Sequence, residues 1–362
     1  LAFAQGTKTI HQAGSAGMNP KKKDERSSYG GLAVPAVYFS PETKLAAGIA
    51  GFGYFRLPGE TLDDRPSNVS GDFIYTVNKQ LLLQISPTIY LSHGKFLIES
   101  EVSYERLFDR FWGIGPETKP TADEAFNYTL FRGKIGFSRQ LAPYAYFGLQ
   151  AHAEEITITE LDKPGGQLAT NPLVLGRGGS LVTGLGFRFV YDSRDNYFST
   201  RKGTFAAVRG MFYGQALGGT HSYSLFTVDV RKYFPLWFGH TLAVQGYAAS
   251  SYWDVPFSHL PVLGGQFRMR GYFEGRFRDK DAVMAQAEYR FPIVWRFGGV
   301  GFASAGMVAP SLLDFNPKNI KGAAGGGLRF MFDRDERLNG RFDVAVSNEG
   351  EPNFYIQINE AF

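Results

Sequence analysis

The chain has 362 residues, with 38 Lys and Arg against 34 Asp and Glu for a net charge of +4, and no cysteine. It holds 44 Gly alongside 33 Phe, 19 Tyr and 4 Trp; Gly alone is well above its ordinary share of about 7%. Without cysteine there are no thiolate metal sites, no Cys nucleophile and no disulfide, and the evenly mixed charges form no basic stripe to hold nucleic acid. The longest uncharged stretch, Phe297 to Leu313, is broken by four Gly, two Ser and Pro310. A helical membrane span needs about 20 mostly apolar residues, so the composition fits a single large all-β domain.

At the start, Leu1-Ala2-Phe3-Ala4 reads as the remnant of a secretory signal with an A-x-A cleavage site, which implies export. Residues 5–30 are polar, carry Lys21-Lys22-Lys23 and show no apolar period, as a flexible tail would. From residue 31 to 362 the recurring signal is alternation. Val102 and Tyr104 oppose Glu101, Ser103 and Glu105. Leu185, Phe187, Phe189 and Tyr191 oppose Gly186, Arg188 and Asp192. Ala285, Ala287, Tyr289 and Phe291 oppose Gln286, Glu288 and Arg290. Phe342, Val344 and Val346 oppose Arg341, Asp343 and Ala345.

Sixteen segments read this way: 33–40, 44–56, 68–78, 80–92, 95–106, 126–140, 142–157, 179–193, 203–217, 221–235, 238–252, 281–296, 298–309, 320–333, 339–348 and 352–362. Most are longer than the five or six residues of a soluble strand and match the roughly 9–11 of a tilted strand crossing a bilayer. Aromatic clusters such as Phe234, Trp237, Phe238 and Phe291, Trp295, Phe297 fall near strand ends, where interfacial girdles belong. The longest connections, 107–125, 158–178 and 253–280, all follow odd-numbered segments, and short turns such as Ser92 to Lys95 follow even ones. Long loops on one side and short turns on the other mark a sixteen-stranded antiparallel barrel of the bacterial outer membrane. Phe354, Ile356 and Ile358 run in phase with Phe362, so the last segment reads as a strand ending on an aromatic residue.

Gly265-Gln266-Phe267-Arg268-Met269-Arg270-Gly271-Tyr272 lies in the long loop before the twelfth segment. It resembles the Arg-Gly-Phe/Tyr motif of the loop that folds back into the barrel in the BamA/TamA outer-membrane insertase superfamily. Tyr191 to Asn196 with Lys202-Gly203-Thr204, Ala285 to Phe291, Gly322 to Phe332 with Gly340 to Ala345, and Val34-Pro35 through Thr43 resemble other stretches of that family in order and spacing. The resemblance spans about residues 31–362. It implies that Arg270 meets an inward carboxylate at Glu288, with Met269, Gly271 and Tyr272 shaping the loop tip. A permanent guanidinium in a lumen needs such a partner. Where the family carries Phe-x-Asp-x-Gly, this chain reads Phe302-Ala303-Ser304-Ala305-Gly306. Ser304 therefore offers Arg270 no second anion, and a loosely held loop is expected. The family's POTRA modules have no counterpart in the thirty residues before the first segment, so the chain reads as a POTRA-less member.

The family also implies a weak seam between the first and last strands. Pro35, Val37, Phe354, Ile356, Ile358 and Phe362 are its expected residues. Pro35 either marks the strand's start or weakens the seam, because it cannot donate to a ladder. Nothing calls for an enzyme, a cofactor or a metal: the Gly-x-Ser-x-Gly elbow, the Walker loop and His-Glu-x-x-His are all absent. His152 beside Glu154 and Glu155 is the best acid/base candidate and reads more simply as a lumen residue, and Asp333-Arg334-Asp335-Glu336 reads as solvated charge. The expected partners are outer-membrane lipid, unfolded outer-membrane proteins, and accessory lipoproteins or a POTRA-bearing chain. The expected role is assistance to outer-membrane protein insertion or translocation through the seam. A non-catalytic scaffold of a larger complex and a plugged pore are the alternatives.

Overall fold

The computed structural model describes residues 28–61, 64–334 and 337–362. The expected signal remnant at 1–4, nearly all of the expected tail at 5–30, and Asp335 and Glu336 lie outside the described residues. Sixteen strands form the wall: β1 (29–40), β2 (44–55), β3 (67–76), β4 (81–91), β5 (96–111), β6 (124–142), β7 (145–161), β8 (179–192), β9 (203–213), β10 (223–235), β11 (241–253), β12 (281–294), β13 (297–309), β14 (321–333), β15 (338–347) and β16 (352–358). Each pairs antiparallel with its chain neighbour, and β16 returns to β1 to close the barrel. β1 starts at Tyr29, inside the stretch read as tail, and Gly30 and Gly31 pair opposite Tyr54 and Gly53.

Polarity is inverted relative to a soluble protein. Ile49, Phe73, Ile85, Phe131, Ile135 and Leu149 are exposed on the outer face, while Gln84, Glu105, Arg132, Glu154, Gln245 and Glu288 are buried inside. An apolar exterior around a polar lumen is what a bilayer-spanning barrel requires, because its outer face meets lipid tails while its inner face does not. No described helix is long and apolar enough to cross a membrane.

The wall is uneven in height. β5, β6 and β7 have 16, 19 and 17 residues, whereas β16 has 7. At ~3.4 Å per residue, that is roughly 65 Å along β6 against roughly 24 Å along β16. The long connections 112–123, 162–178 and 254–280 share one end of the barrel, and the short turns 92–95, 143–144 and 295–296 share the other.

The core is the filled lumen. The 254–280 loop folds inward, braced by a two-residue ladder that pairs Val262 with Arg278 and Leu263 with Phe277. Its Phe257 and Leu260 pack with Phe111, Phe126, Leu130 and Val182 of the tall wall. Its Leu263, Met269, Tyr272 and Phe277 pack with Ala282, Met284, Val308 and Ala323 of the opposite wall. Burying a side chain of this size is worth about 1.5–3 kcal/mol, so the loop is a structural plug and not a surface strap.

Candidate functional site

The loop tip is shaped by backbone that few residues tolerate. Met269 adopts φ of 50° and Gly271 φ of 113°. A Cβ on Gly271 would sit 3.1 Å from Ala323 Cβ and from the Val346 carbonyl carbon, so only glycine fits the turn against β14 and β15. That turn drives Arg270 into the lumen, where its side chain is fully buried.

Arg270 Nη2 donates to Glu288 Oε2 at 2.5 Å and its Nη1 donates to Asp343 Oδ2 at 2.6 Å. Its Cζ stands 3.5 Å from the centre of the Phe302 ring, a cation–π contact that shields the pair. The Glu288 contact lies where the family resemblance placed it. Ser304 instead donates to the Ala323 carbonyl at 3.4 Å. Asp343 on β15 supplies the second anion, which corrects the expectation of a single carboxylate and a loosely held loop. The alternation of β15 sets Arg341 and Asp343 opposite Phe342 and Val344 but does not show that Asp343 reaches Arg270.

Each carboxylate divides its two oxygens. Glu288 Oε1 accepts from Arg290 Nε at 2.7 Å, and Asp343 Oδ1 accepts from Arg329 Nη1 at 2.6 Å. Arg341 completes the cluster, with Nη1 3.5 Å from Asp343 Oδ2 and Nη2 donating to the Gln266 carbonyl at 3.0 Å. Buried charges in such a group stay stable only while every one has its partner.

β16 also braces the loop from inside. Gly271 N–H donates to the Tyr355 hydroxyl at 2.9 Å, Asn353 Nδ2 donates to the Gly271 carbonyl at 2.7 Å, and Gln357 Nε2 donates to Gln266 Oε1. The Tyr272 hydroxyl accepts from Asn348 N–H at 3.3 Å, and its ring meets Phe277 edge-on. The lumen-facing residues 353, 355 and 357 carry no sequence signal of their own, because the apolar period of β16 runs through their outward neighbours Phe354 and Ile356.

The seam is thin by contrast. Among the described residues a single pair, Phe39 with Ile356, joins β1 to β16, while β1 and β2 pair over twelve positions from Tyr29–Phe55 to Ser40–Lys44. Antiparallel continuation from that bridge brings Val37 level with Ile358. Residues 30–37 of β1 have no partner on the β16 side among the described residues. Pro35 lies mid-strand opposite Ile49, not at the strand's start, and removes one donor from this edge. Val37, Phe354 and Ile356 face outward and are exposed. Phe362 does not lie on the seam. Asn359, with φ of 73°, turns the chain inward, and Phe362 is buried with Tyr233 and Ala243.

At the tall wall, His259 of the loop bridges Glu154 Oε1 and the Tyr223 hydroxyl, both at 2.8 Å, while Arg132 Nε donates to Glu154 Oε2 at 2.5 Å. Glu155 points outward, and His152 bonds the Tyr213 hydroxyl at 2.9 Å. The acid/base candidate is thus part of a loop anchor. Among the described residues no group of His, Asp and Glu has metal-holding geometry. At the long-loop rim, Glu274 N–H donates to Glu42 Oε1 at 3.0 Å, tying the loop to the turn after β1. Burial pushes the Glu274 carboxyl up to about 7, with the Glu42 carboxylate adding to the rise, and burial raises Glu42 as well.

The Omp85 superfamily domain matches residues 89–362. No curated protein matches the sequence. Among solved structures, BamA from Haemophilus ducreyi lacking POTRA domains 1–3 is similar at 13% identity and TM-score 0.65, over 99% of this chain and 77% of that one. CdiB from Acinetobacter baumannii is similar at 10% identity and TM-score 0.58, over 91% and 59% of the respective chains. CdiB from Escherichia coli is similar at 13% and 0.55, over 90% and 62%. This chain therefore spans about three fifths of the CdiB chains, and the likeness at these identities is one of fold. With a family match over most of its length and a closed sixteen-stranded barrel, the chain belongs to the Omp85 superfamily.

Proposed function

We propose that this protein is an integral outer-membrane barrel that assists insertion or translocation of other polypeptides at the β1–β16 seam. The observation that carries this reading is the single bridge between those strands, beside an edge at residues 30–37 with no partner among the described residues. An unpaired strand edge is a template for another strand, which gains main-chain hydrogen bonds on docking. The lumen is filled by the 254–280 loop, which favours lateral traffic at the wall over passage of solutes through the middle. The chemistry is pairing and release of strands, with no catalysed reaction. Family membership supports partners of this kind: unfolded barrel proteins as clients, with accessory lipoproteins or a POTRA-bearing chain to deliver them, and the lipid of a Gram-negative outer membrane as solvent.

A disulfide lock tests the reading cleanly because the chain has no native cysteine. Val37→Cys with Ile358→Cys would join the strands just below the bridge. In cells relying on the locked protein, the expected result is a loss of other outer-membrane barrels that reductant reverses. An unchanged outer-membrane proteome with the disulfide complete would overturn the proposal and leave the scaffold reading.

A further inference from the structure

The four residues after β16 leave the wall and enter a built pocket in the lumen. Glu360 Oε2 accepts from Arg329 Nε at 2.7 Å, and its Oε1 accepts from Asn339 Nδ2 at 2.8 Å. A main-chain oxygen of Phe362 accepts from Arg290 Nη2 at 2.8 Å, and the Phe362 ring is buried with Tyr233, Ala243 and Ala361. Asn359 N–H donates to the Asn339 carbonyl at 2.6 Å, fixing the bend. Arg329 and Arg290 are the same two arginines that share Asp343 and Glu288 with the loop's Arg270.

We infer that the 359–362 tail and the 254–280 loop occupy one coupled binding site, so that docking of the loop keeps the tail out of the seam. The reasoning is charge balance in a buried place. Arg270, Arg290, Arg329 and Arg341 face Glu288, Asp343 and Glu360, and Arg290 also holds a main-chain oxygen of Phe362. With Arg270 withdrawn, Glu288 and Asp343 draw fully on Arg290 and Arg329, and the pull on Glu360 weakens. With Glu360 withdrawn, four guanidiniums share two carboxylates, and Arg270 is held less firmly. The coupling is therefore positive and works equally in both directions, as linkage demands.

Its consequence falls on the seam. Continuing the register from the Phe39–Ile356 bridge, residues 359–362 would come opposite residues 36–33 of β1 if they ran along the wall. With the loop docked, that stretch of the β1 edge stays open. With the loop released, the tail lengthens β16 and closes the gap. The inference holds whether or not the seam serves other proteins, because its test reads the purified barrel alone.

Two cysteine pairs report the tail's position: Ala361→Cys with Ala243→Cys for the lumen site, and Ala361→Cys with Val34→Cys for the wall. The parent barrel should form the first link and not the second. Arg270→Gln should slow the first and speed the second by about fivefold or more, the lower range of a coupling free energy. The reverse direction uses Met269→Cys, whose position is fully buried in the parent. Glu360→Gln, remote from the loop in sequence, should raise its labelling by a thiol reagent by a similar factor. Barrels are scored only when they keep heat-modifiable migration on gels, and if Arg270→Gln does not fold, Glu360→Gln decides alone. Unchanged Met269→Cys labelling in a folded Glu360→Gln barrel would overturn the coupling.

Discussion

The two sides of this barrel handle the same problem, joining neighbouring strands, in opposite ways. From β12 to β15 each ladder holds at least ten pairs, and the wall is sealed inside by Arg270, Arg290 and Arg329 on Glu288 and Asp343. From β16 to β1 one pair bridges two strands of unequal length, and the residues that would extend the shorter strand are drawn into the lumen. The sealed side thereby pays for the open one: its arginines hold both the plug loop and the tail. A uniform barrel would spread its strength evenly, so the contrast locates where this one is built to part.

Breaking the sealed side should give the largest effect. Arg270→Ala leaves Glu288 and Asp343 short of a buried cation, and removing one member of a buried pair costs about 3–5 kcal/mol. Urea titration of the detergent-solubilised barrel, read by heat-modifiable migration, should shift to lower denaturant accordingly. Amide hydrogen exchange sharpens the contrast without mutation: residues 30–36 of β1 should exchange with far less protection than β13 and β14, which carry long ladders on both edges. Gly271→Ala should be milder, about 1–3 kcal/mol for a side chain forced to the left-handed region. Its added Cβ also meets Ala323 and the Val346 carbonyl. Limited proteolysis of the 254–280 loop would report it.

The smallest expected effect concerns pH. Glu274 is raised when docked, up to about 7 by burial and the neighbouring Glu42 carboxylate, with Asp109 and Arg268 also close by. Docking therefore favours its protonated form. That contribution is complete below the ordinary carboxyl range and fades as pH rises from about 4.5 to about 7. Measured relative to an exposed control cysteine at the same pH, which removes the thiol's own ionisation, labelling of Met269→Cys should be slower at pH 5 than at pH 8, and Glu274→Gln should flatten that ratio.

Much of this was legible in the sequence, and the exceptions share a cause. Alternation located the strands because a barrel wall separates lipid from lumen at every second residue, and Val102, Tyr104, Phe342 and Val346 all face outward as their period required. The Arg270–Glu288 contact was legible through the loop motif and the phase of β12. Asp343 falls on the polar side of its segment's alternation, yet its partner lies 73 residues away on a loop whose path no local pattern encodes. Phe362 was misplaced because the period of Phe354, Ile356 and Ile358 runs on smoothly. The bend at Asn359 rests on one backbone angle, which Asn tolerates without changing the pattern. Asn353, Tyr355 and Gln357 of β16 share no motif with the loop they brace, so nothing local marks them as its partners.

The central claim is that β1 offers its edge to a foreign strand while the sealed wall does not. A photo-crosslinking residue placed at Ala33 of β1, and in a parallel strain at Ala303 of β13, compares two exposed outward positions directly. Adducts with unfolded outer-membrane proteins should appear from Ala33 during active growth and be absent from Ala303. Equal capture at both positions, or none at Ala33, would contradict the account.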